Sequence, residues 1–88
     1  MDNTHKIILI LTDSCKECDR MKQTIQSVIR FGNIKAEVLA YNFDDAETID
    51  VAIAYEIDDV PGCNINGTVI EGKYYNTKAL VRELEKLS

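Results

Sequence analysis

Two cysteines separated by two residues, Cys15 and Cys18, are the side chains best placed for chemistry in this sequence. They follow the apolar residues 7–11 and open a stretch whose apolar residues recur at helical spacing. Residues i and i+3 of a helix have Cβ atoms about 5–6 Å apart. A small adjustment brings such a pair into the Cα range of about 4.4–6.8 Å that a disulfide tolerates. Cys15 would also lie among the unpaired N–H groups of the helix N-terminus, which favour a thiolate. The pair therefore predicts a dithiol that closes reversibly to a disulfide.

The elements that must position this pair follow from the hydrophobic pattern. The predicted elements, in chain order, are a strand over 6–12, a helix over about 15–31, a strand over 37–42, a helix over about 46–56, strands over 63–65 and 68–71, and a helix that Asn76 or Thr77 caps. Residues 12–14 supply the turn and N-cap before Cys15, and Asn66-Gly67 is a strong hairpin signal. The order β-α-β-α-β-β-α predicts an α/β fold, with a four-stranded mixed sheet and helices on both faces. The two β-α-β halves imply parallel pairing through right-handed crossovers, and the hairpin adds antiparallel strands.

Length and composition indicate a small globular protein. The 88 residues are 45% hydrophobic and 28% charged, close to a folded average, so we expect residues 1–88 to form one domain. Three cysteines are too few, and odd in number, for a secreted disulfide framework. The N-terminus lacks the basic segment of a signal peptide, and no apolar run approaches the ~20 residues of a membrane span. These features predict a cytoplasmic protein without a membrane partner, and we expect a monomer.

Acidic residues are concentrated in one part of the sequence. Ten basic residues against fifteen acidic ones give a net charge of −5, which argues against a nucleic-acid partner. Seven of the acidic residues fall within residues 44–59, a window that contains no Lys or Arg. This window is either the solvated face of an acidic helix or a charge-selective rim that docks a basic partner.

A second motif surrounds the only proline, Pro61, which lies between the acidic helix and a short strand in Val60-Pro61-Gly62. An X-Pro bond at such a place can be a structural cis peptide. CxxC at the start of a helix, followed by Val-Pro before a hairpin, resembles the thioredoxin/glutaredoxin superfamily over essentially the whole chain. The sequence is most similar to the minimal thioredoxin-like proteins, also described as small redox-active disulfide or glutaredoxin-like proteins. The resemblance implies a thioredoxin-like fold.

The same resemblance implies roles for individual residues. Cys15 would be the exposed attacking thiol and Cys18 the buried resolving thiol of a thiol–disulfide oxidoreductase that reduces protein disulfides. Pro61 would be the cis-proline beside the disulfide, and the backbone of Val60 and Gly62 would pair with an extended substrate segment. The family pattern implies no cofactor beyond the Cys15–Cys18 disulfide and no metal. The expected partners are protein disulfide substrates and a reductase that recycles the protein.

Charged residues near the pair are expected to tune its redox potential. Lys16 and Glu17 separate the two cysteines, and Asp58 and Asp59 precede Pro61. Negative potential disfavours a thiolate, and a strong oxidant needs its thiolate stabilised. This acidic surround therefore predicts a reductant of disulfides.

The expected substrate is a protein disulfide, with glutathione disfavoured. A glutaredoxin usually has Gly-Gly followed by an acid for glutathione, where this sequence has Glu71-Gly72-Lys73.

Three alternatives stay open at this point. Cys63, two residues beyond Pro61, is either a small core residue or a third thiol near the redox pair. The CxxC pair would also suit a protein that binds or delivers a soft metal, copper or zinc. A noncatalytic thioredoxin-like binding module is the remaining alternative.

Overall fold

The structure is a computed structural model that describes residues 4–88. Its elements are β1 His5–Leu11, α1 Lys16–Phe31, β2 Ala36–Asn42, α2 Thr48–Ala54, β3 Gly62–Ile65, β4 Thr68–Glu71 and α3 Thr77–Glu85. The predicted β-α-β-α-β-β-α order is confirmed. Within residues 4–88, none of the helices combines the length and the apolar character that crossing a membrane requires.

The four strands form one mixed sheet in the order β2-β1-β3-β4. β1 runs parallel to β2, whereas β3 is antiparallel to β1 and β4 is antiparallel to β3. The predicted mixed sheet is therefore confirmed. Parallel pairing, however, applies to the first β-α-β half alone, and the prediction for the second half is wrong.

The direction of β3 follows from the path of the chain after α2. The Tyr55 carbonyl accepts a hydrogen bond from Asn64 Nδ2 at 2.8 Å, so α2 ends beside the far half of β3. The Asp58 N–H then donates to Glu71 Oε1 at 2.8 Å. Glu71 pairs with Gly62, at the opposite end of β3. Between α2 and β3 the chain therefore runs back across the face of the sheet that α2 covers. As a result, β3 starts at the edge of the sheet where β2 ended.

Alternate residues of β1 build a hydrophobic core on each face of the sheet. Ile7 and Leu9 pack with residues of α1 and α3, whereas Ile8 and Ile10 pack with residues of α2. The other buried members of the first core are Met21, Ile25, Cys63, Ile65, Tyr75, Leu80 and Leu84. The second core contains Ile57 together with half-buried Leu39, Tyr41, Val51, Ala52, Tyr55, Val60 and Val69. The predicted placement of helices on both faces is therefore confirmed.

Helix α2 is shorter than the predicted 46–56. Asn42 holds the residues between β2 and α2 in turns. Its Oδ1 accepts a hydrogen bond from the Asp44 N–H at 2.8 Å, and its carbonyl accepts one from Thr48 Oγ1 at 2.6 Å. At the other end, Glu56 has a left-handed φ of 58°, which is incompatible with a continuing helix. Local side-chain bonding thus delays the start of α2, and a left-handed residue ends it.

The β3–β4 hairpin contains a buried polar residue whose partners the sequence does not reveal. Asn66 and Gly67 form the predicted two-residue turn, with φ values of 51° and 96°. Asn64, which is 9% exposed, donates to the Tyr55 carbonyl and accepts from the Gly67 N–H, both at 2.8 Å. Its side chain therefore ties the hairpin turn to the end of α2.

Candidate redox site

One edge of the sheet collects the segments that carry the predicted site residues. β1 and β2 end at this edge, where the Phe43 N–H donates to the Leu11 carbonyl at 2.7 Å. β3 begins there, since Gly62 pairs with Ile10 near the end of β1. The loop that leads from β1 to Cys15 begins at this edge, and the loop that ends at Pro61 enters β3 at the same edge. We call this the cysteine edge.

Cys15 itself is the N-cap of α1, in place of the predicted cap within residues 12–14. Its backbone is extended, with φ −122° and ψ 110°, and its Sγ accepts a hydrogen bond from the Cys18 N–H at 3.0 Å. Ser14, with a left-handed φ of 54°, makes the turn just before it. The sulfur thus occupies the position where a serine or aspartate oxygen usually caps a helix. An N–H donor and the helix dipole both favour negative charge on this atom.

Cys15 and Cys18 are joined by a disulfide, with their Cα atoms 5.2 Å apart. The two residues differ in exposure, because Cys15 is half-buried whereas Cys18 is 1% exposed. Cys18 lies on the buried face of α1 with Met21 and Ile25. A thiol or disulfide from another molecule therefore reaches the Cys15 sulfur more readily than the Cys18 sulfur.

The Val60–Pro61 peptide bond is cis, which confirms the prediction from sequence. Pro61 is buried, and its carbonyl accepts from the Gly72 N–H at 2.8 Å. Gly62 is also buried and already pairs with strands on both sides. Val60 is half-buried just outside the sheet, and its N–H donates to Asp59 Oδ1 at 2.8 Å. Gly62 therefore lies within the sheet, whereas Val60 lies outside it, and the pairing of either residue with a substrate segment stays a prediction.

The predicted tuning residues lie at the surface. Lys16, Asp58 and Asp59 are exposed, and Glu17 is half-buried. Charges in such positions act on the sulfur atoms through solvent, so their effects are reduced by screening. Their influence on the redox potential stays a prediction.

A contact between α1 and the loop before α3 was not predicted from sequence. Arg20 Nε donates to the Tyr75 hydroxyl at 3.2 Å, and the guanidinium lies 5.1 Å from the centre of the Tyr75 ring. This contact raises the pKa of Arg20 above its ordinary value, chiefly through the hydrogen bond to Tyr75. The sequence holds no signal for it, because 55 residues separate the two side chains.

Cys63 lies in the core, which favours the first of its two interpretations. It is fully buried in β3, opposite Leu9 of β1, and belongs to the core under α1 and α3. Burial raises the pKa of its thiol to about 12, from an ordinary value of 9.0. Such a thiol is a poor nucleophile at neutral pH because it is almost entirely protonated.

Alkylation of the reduced native protein should therefore discriminate among the three thiols. At pH 8, a pKa of about 12 leaves roughly one Cys63 side chain in ten thousand ionised. We expect iodoacetamide to modify Cys15 first, and Cys63 only after unfolding in denaturant, as mapped by peptide mass spectrometry. Modification of Cys18 or Cys63 ahead of Cys15 in the native protein would contradict this order.

The cysteine pair by itself offers a metal ion two ligands. In the part of the chain that the structure describes, no three or more His, Cys, Asp or Glu side chains are grouped to hold a metal ion. Zinc sites in proteins generally take four ligands. The pair alone would leave such an ion half-coordinated.

Solved structures with the same fold cover nearly the whole chain. A thioredoxin-like protein from Clostridium perfringens is 21% identical with a TM-score of 0.71, covering 100% of this chain and 74% of that one. Oxidised mitochondrial thioredoxin 3 from Saccharomyces cerevisiae is 20% identical with a TM-score of 0.68, covering 98% and 81%. Thioredoxin-2 of the malaria parasite is 17% identical with a TM-score of 0.63, covering 98% and 85%. At these identities, the likeness establishes a thioredoxin-like fold.

The family assignment rests on the sequence. A comparison with curated proteins finds no match. The family model described as the thioredoxin domain, by contrast, matches residues 6–85. This range includes both cysteines of the disulfide and the cis-proline. The chain therefore belongs to the thioredoxin domain family.

Proposed function

We propose that this protein is a thiol–disulfide oxidoreductase that reduces disulfides in other proteins. The observation that carries the proposal is the asymmetry of the cysteine pair. Cys15 is half-buried at the start of α1 with its sulfur hydrogen-bonded to a backbone N–H, and its disulfide partner Cys18 is 1% exposed. This arrangement supports Cys15 as the attacking group and Cys18 as the resolving group.

The first step is attack by the Cys15 thiolate on one sulfur of the substrate disulfide. A bond forms between Cys15 Sγ and that sulfur, the substrate S–S bond breaks, and the second substrate sulfur leaves as a thiolate. The hydrogen bond from the Cys18 N–H supports this step, because it stabilises negative charge on Cys15 before attack. The product is a mixed disulfide.

The second step releases the substrate. Cys18 loses its proton and attacks Cys15 Sγ, which forms the Cys15–Cys18 bond and expels the remaining substrate sulfur as a thiolate. Taking up protons from water, the substrate gains two electrons and two protons, and the protein is left oxidised. A dithiol reductant from another protein must return the pair to the reduced state.

The charge distribution supports reduction as the direction. Asp13, Asp19, Asp58 and Asp59 are all exposed around the cysteine edge or on the first turn of α1. Their negative potential opposes the thiolate stabilisation on which a strong oxidant depends. We also infer a cytoplasmic location, because a reductant with few cysteines fits a reducing compartment. No cofactor or metal takes part in the proposed reaction.

In the proposed reaction, a protein disulfide is a better substrate than glutathione disulfide. The segment Glu71-Gly72-Lys73 lacks the Gly-Gly-acid pattern that resemblance to glutaredoxins would require for glutathione. Val60, by contrast, lies beside the sheet, where an extended polypeptide can pair through its main chain.

The test is a stoichiometric reduction with the reduced protein as the sole electron source. Intact insulin, whose chains are joined by disulfides, and glutathione disulfide serve as competing substrates, and new thiols are quantified over time by mass spectrometry. We expect a larger second-order rate constant for the protein disulfide, and the same rates with or without a metal chelator. Failure to reduce the protein disulfide, or a rate abolished by chelation, would overturn the proposal.

A further inference from the structure

Strand β2 is the outermost strand on one side of the sheet, and within residues 4–88 it pairs with β1 alone. Val38 packs into the core under α1 and α3, and Leu39 packs into the core under α2. Both side chains are nevertheless half-buried, whereas the middle residues of β1, 7–10, are fully buried. A missing neighbour strand accounts for this difference.

The backbone groups on the outer side of β2 can be identified from its bonds to β1. The His5 N–H donates to the Lys35 carbonyl, and the Phe43 N–H donates to the Leu11 carbonyl. Odd-numbered residues of β2 therefore face β1, because successive residues of a strand direct their backbone groups to opposite sides. The N–H and C=O groups that point away from the sheet belong to the alternate residues Ala36, Val38 and Ala40.

The two outermost strands differ in how they are protected from pairing with another chain. Natural sheets protect such strands by short length, charged side chains, proline or a covering segment. Strand β4 has four residues, and the loop before Pro61 binds to it through the Asp58 N–H and Glu71. Strand β2 has seven residues, lacks proline, and carries Glu37 as its single charged side chain. Strand β2 is therefore the side of the sheet that another strand can extend.

A second copy of β2 matches this strand when the two run antiparallel about a two-fold axis at Val38. Val38 then faces Val38 of the second copy, and Ala36 faces its Ala40. All of these residues direct their backbone groups outward, so each facing pair exchanges two hydrogen bonds, about six in all. The alanine side chains are small, and the valine side chains cover one another across the axis.

The charges at the two ends of β2 favour the same arrangement. Lys35 precedes the strand and Asp44 and Asp45 follow it, and all three side chains are exposed. Antiparallel pairing brings Lys35 of each copy towards Asp44 and Asp45 of the other, twice by symmetry. Glu37 lies beside Lys6 of β1 in the sheet register, so its charge is offset within each copy.

We propose that two copies of this protein associate through antiparallel β2 strands and form one continuous eight-stranded sheet, four strands from each copy. The two-fold axis reverses the strand direction, so the two cysteine edges point in opposite directions and both disulfides stay accessible. The dimer therefore does not rest on the proposed function. Composition alone led us to expect a monomer, because it does not show which strand is outermost.

The first experiment is sedimentation equilibrium of the full chain with Cys15→Ser and Cys18→Ser, which excludes dimers linked through these thiols. We expect the mass to rise with concentration from one chain to two and to stop there. Ala40→Pro should raise the dissociation constant by at least about tenfold, because it removes an N–H that the monomer does not use and the dimer does. Ala40 is exposed, so this variant should remain folded, as checked by cooperative thermal unfolding.

Hydrogen exchange locates the interface on β2. Raising the protein concentration should slow exchange of alternate amides, those of Ala36, Val38 and Ala40. Contact through a helix would not produce this alternation, because the N–H groups of a helix interior are already bonded within the helix.

A charge reversal tests the antiparallel direction. Lys35→Glu should weaken the dimer by at least about threefold, and adding Asp44→Lys and Asp45→Lys to it should restore the parental affinity. Lys78→Glu is the matched control: Lys78 is exposed on α3, which contacts α1 and β4, and its replacement should leave the dimer unchanged.

Three results would overturn the proposal: a mass of one chain at every concentration, a dimer that neither Ala40→Pro nor Lys35→Glu weakens, and a mass that continues to grow beyond two chains. The two proposals fail separately. With Cys15 and Cys18 intact, Ala40→Pro should reduce a protein disulfide at the parental rate per chain. A dimer without disulfide reduction would overturn the proposed function alone, and a monomer with it would overturn the dimer alone.

Discussion

Replacement of Cys15 by serine is expected to lower the rate of disulfide reduction by about a thousandfold or more, to background. A serine hydroxyl stays protonated at neutral pH, so the hydrogen bond from the Cys18 N–H has no thiolate to stabilise. The measurement is the rate of thiol release from a protein disulfide under stoichiometric conditions. Cys15→Ser should keep the fold, because a serine at this position still caps α1.

The complementary variant, Cys18→Ser, should stop the reaction halfway. Cys15 still attacks, but no second thiol releases the substrate, so a mixed disulfide should accumulate and be visible by intact mass. Cys63→Ala is the control and should react at the parental rate, since Cys63 is fully buried in the core. Full activity of Cys15→Ser, or a mixed disulfide on Cys63, would contradict the assigned roles.

The second large effect concerns stability. Gly62→Ala is expected to lower the free energy of unfolding by about 3 kcal/mol, as measured by urea denaturation. A Cβ atom at this position would overlap Ile57 Cγ2 and the carbonyl oxygen of Asp59. The backbone oxygen cannot move without displacing the loop that leads into Pro61. The substitution therefore disturbs the cysteine edge as well as the second core.

Gly67→Ala separates this steric effect from the conformational freedom of glycine. Gly67 has a φ of 96°, and a methyl group added there would meet no atom within 4 Å, so its replacement brings backbone strain without overlap. We expect a loss of about 1–2 kcal/mol. A Gly62→Ala protein as stable as the parent, or one less affected than Gly67→Ala, would contradict the close packing around Gly62.

Features governed by neighbouring residues were predictable from the sequence. The period of the apolar residues places α1 and the strands, Asn66-Gly67 sets the hairpin turn, and the lone Val-Pro sequence marks the cis bond. Cys15 and Cys18 could be identified as a pair because three residues is a helical spacing. Each of these signals is complete within a few positions of the chain.

Features that depend on contacts between distant segments could not be predicted. The direction of β3 is set by the path after α2, which is fixed by the bonds of Asn64 to Tyr55 and of Asp58 to Glu71. Periodicity contains no information about these partners. For the same reason, no local signal shows that Gly62, which the resemblance implies as a substrate-pairing residue, lies between two strands.

The acidic window shows how the two levels combine. From sequence, it was either a solvated helix face or a rim for a basic partner. The structure adds that all seven acidic residues are exposed and that the exposed side chains of Ile49 and Ile53 lie in the same segment of the chain. Charge alone could not favour docking, because an acidic helix face is commonly just solvated. An apolar cluster within that charge gives a partner something to cover.

The most direct test of the central claim is an equilibrium redox titration of the Cys15–Cys18 pair. The protein is equilibrated in dithiol buffers of stepped potential, its thiols are trapped by alkylation, and the oxidised fraction is read by mass spectrometry. We predict one two-electron transition at roughly −220 to −290 mV, confined to Cys15 and Cys18, and unchanged by a metal chelator. Absence of a reversible transition would contradict a redox role, and a midpoint near about −120 mV would contradict the assignment of the protein as a reductant.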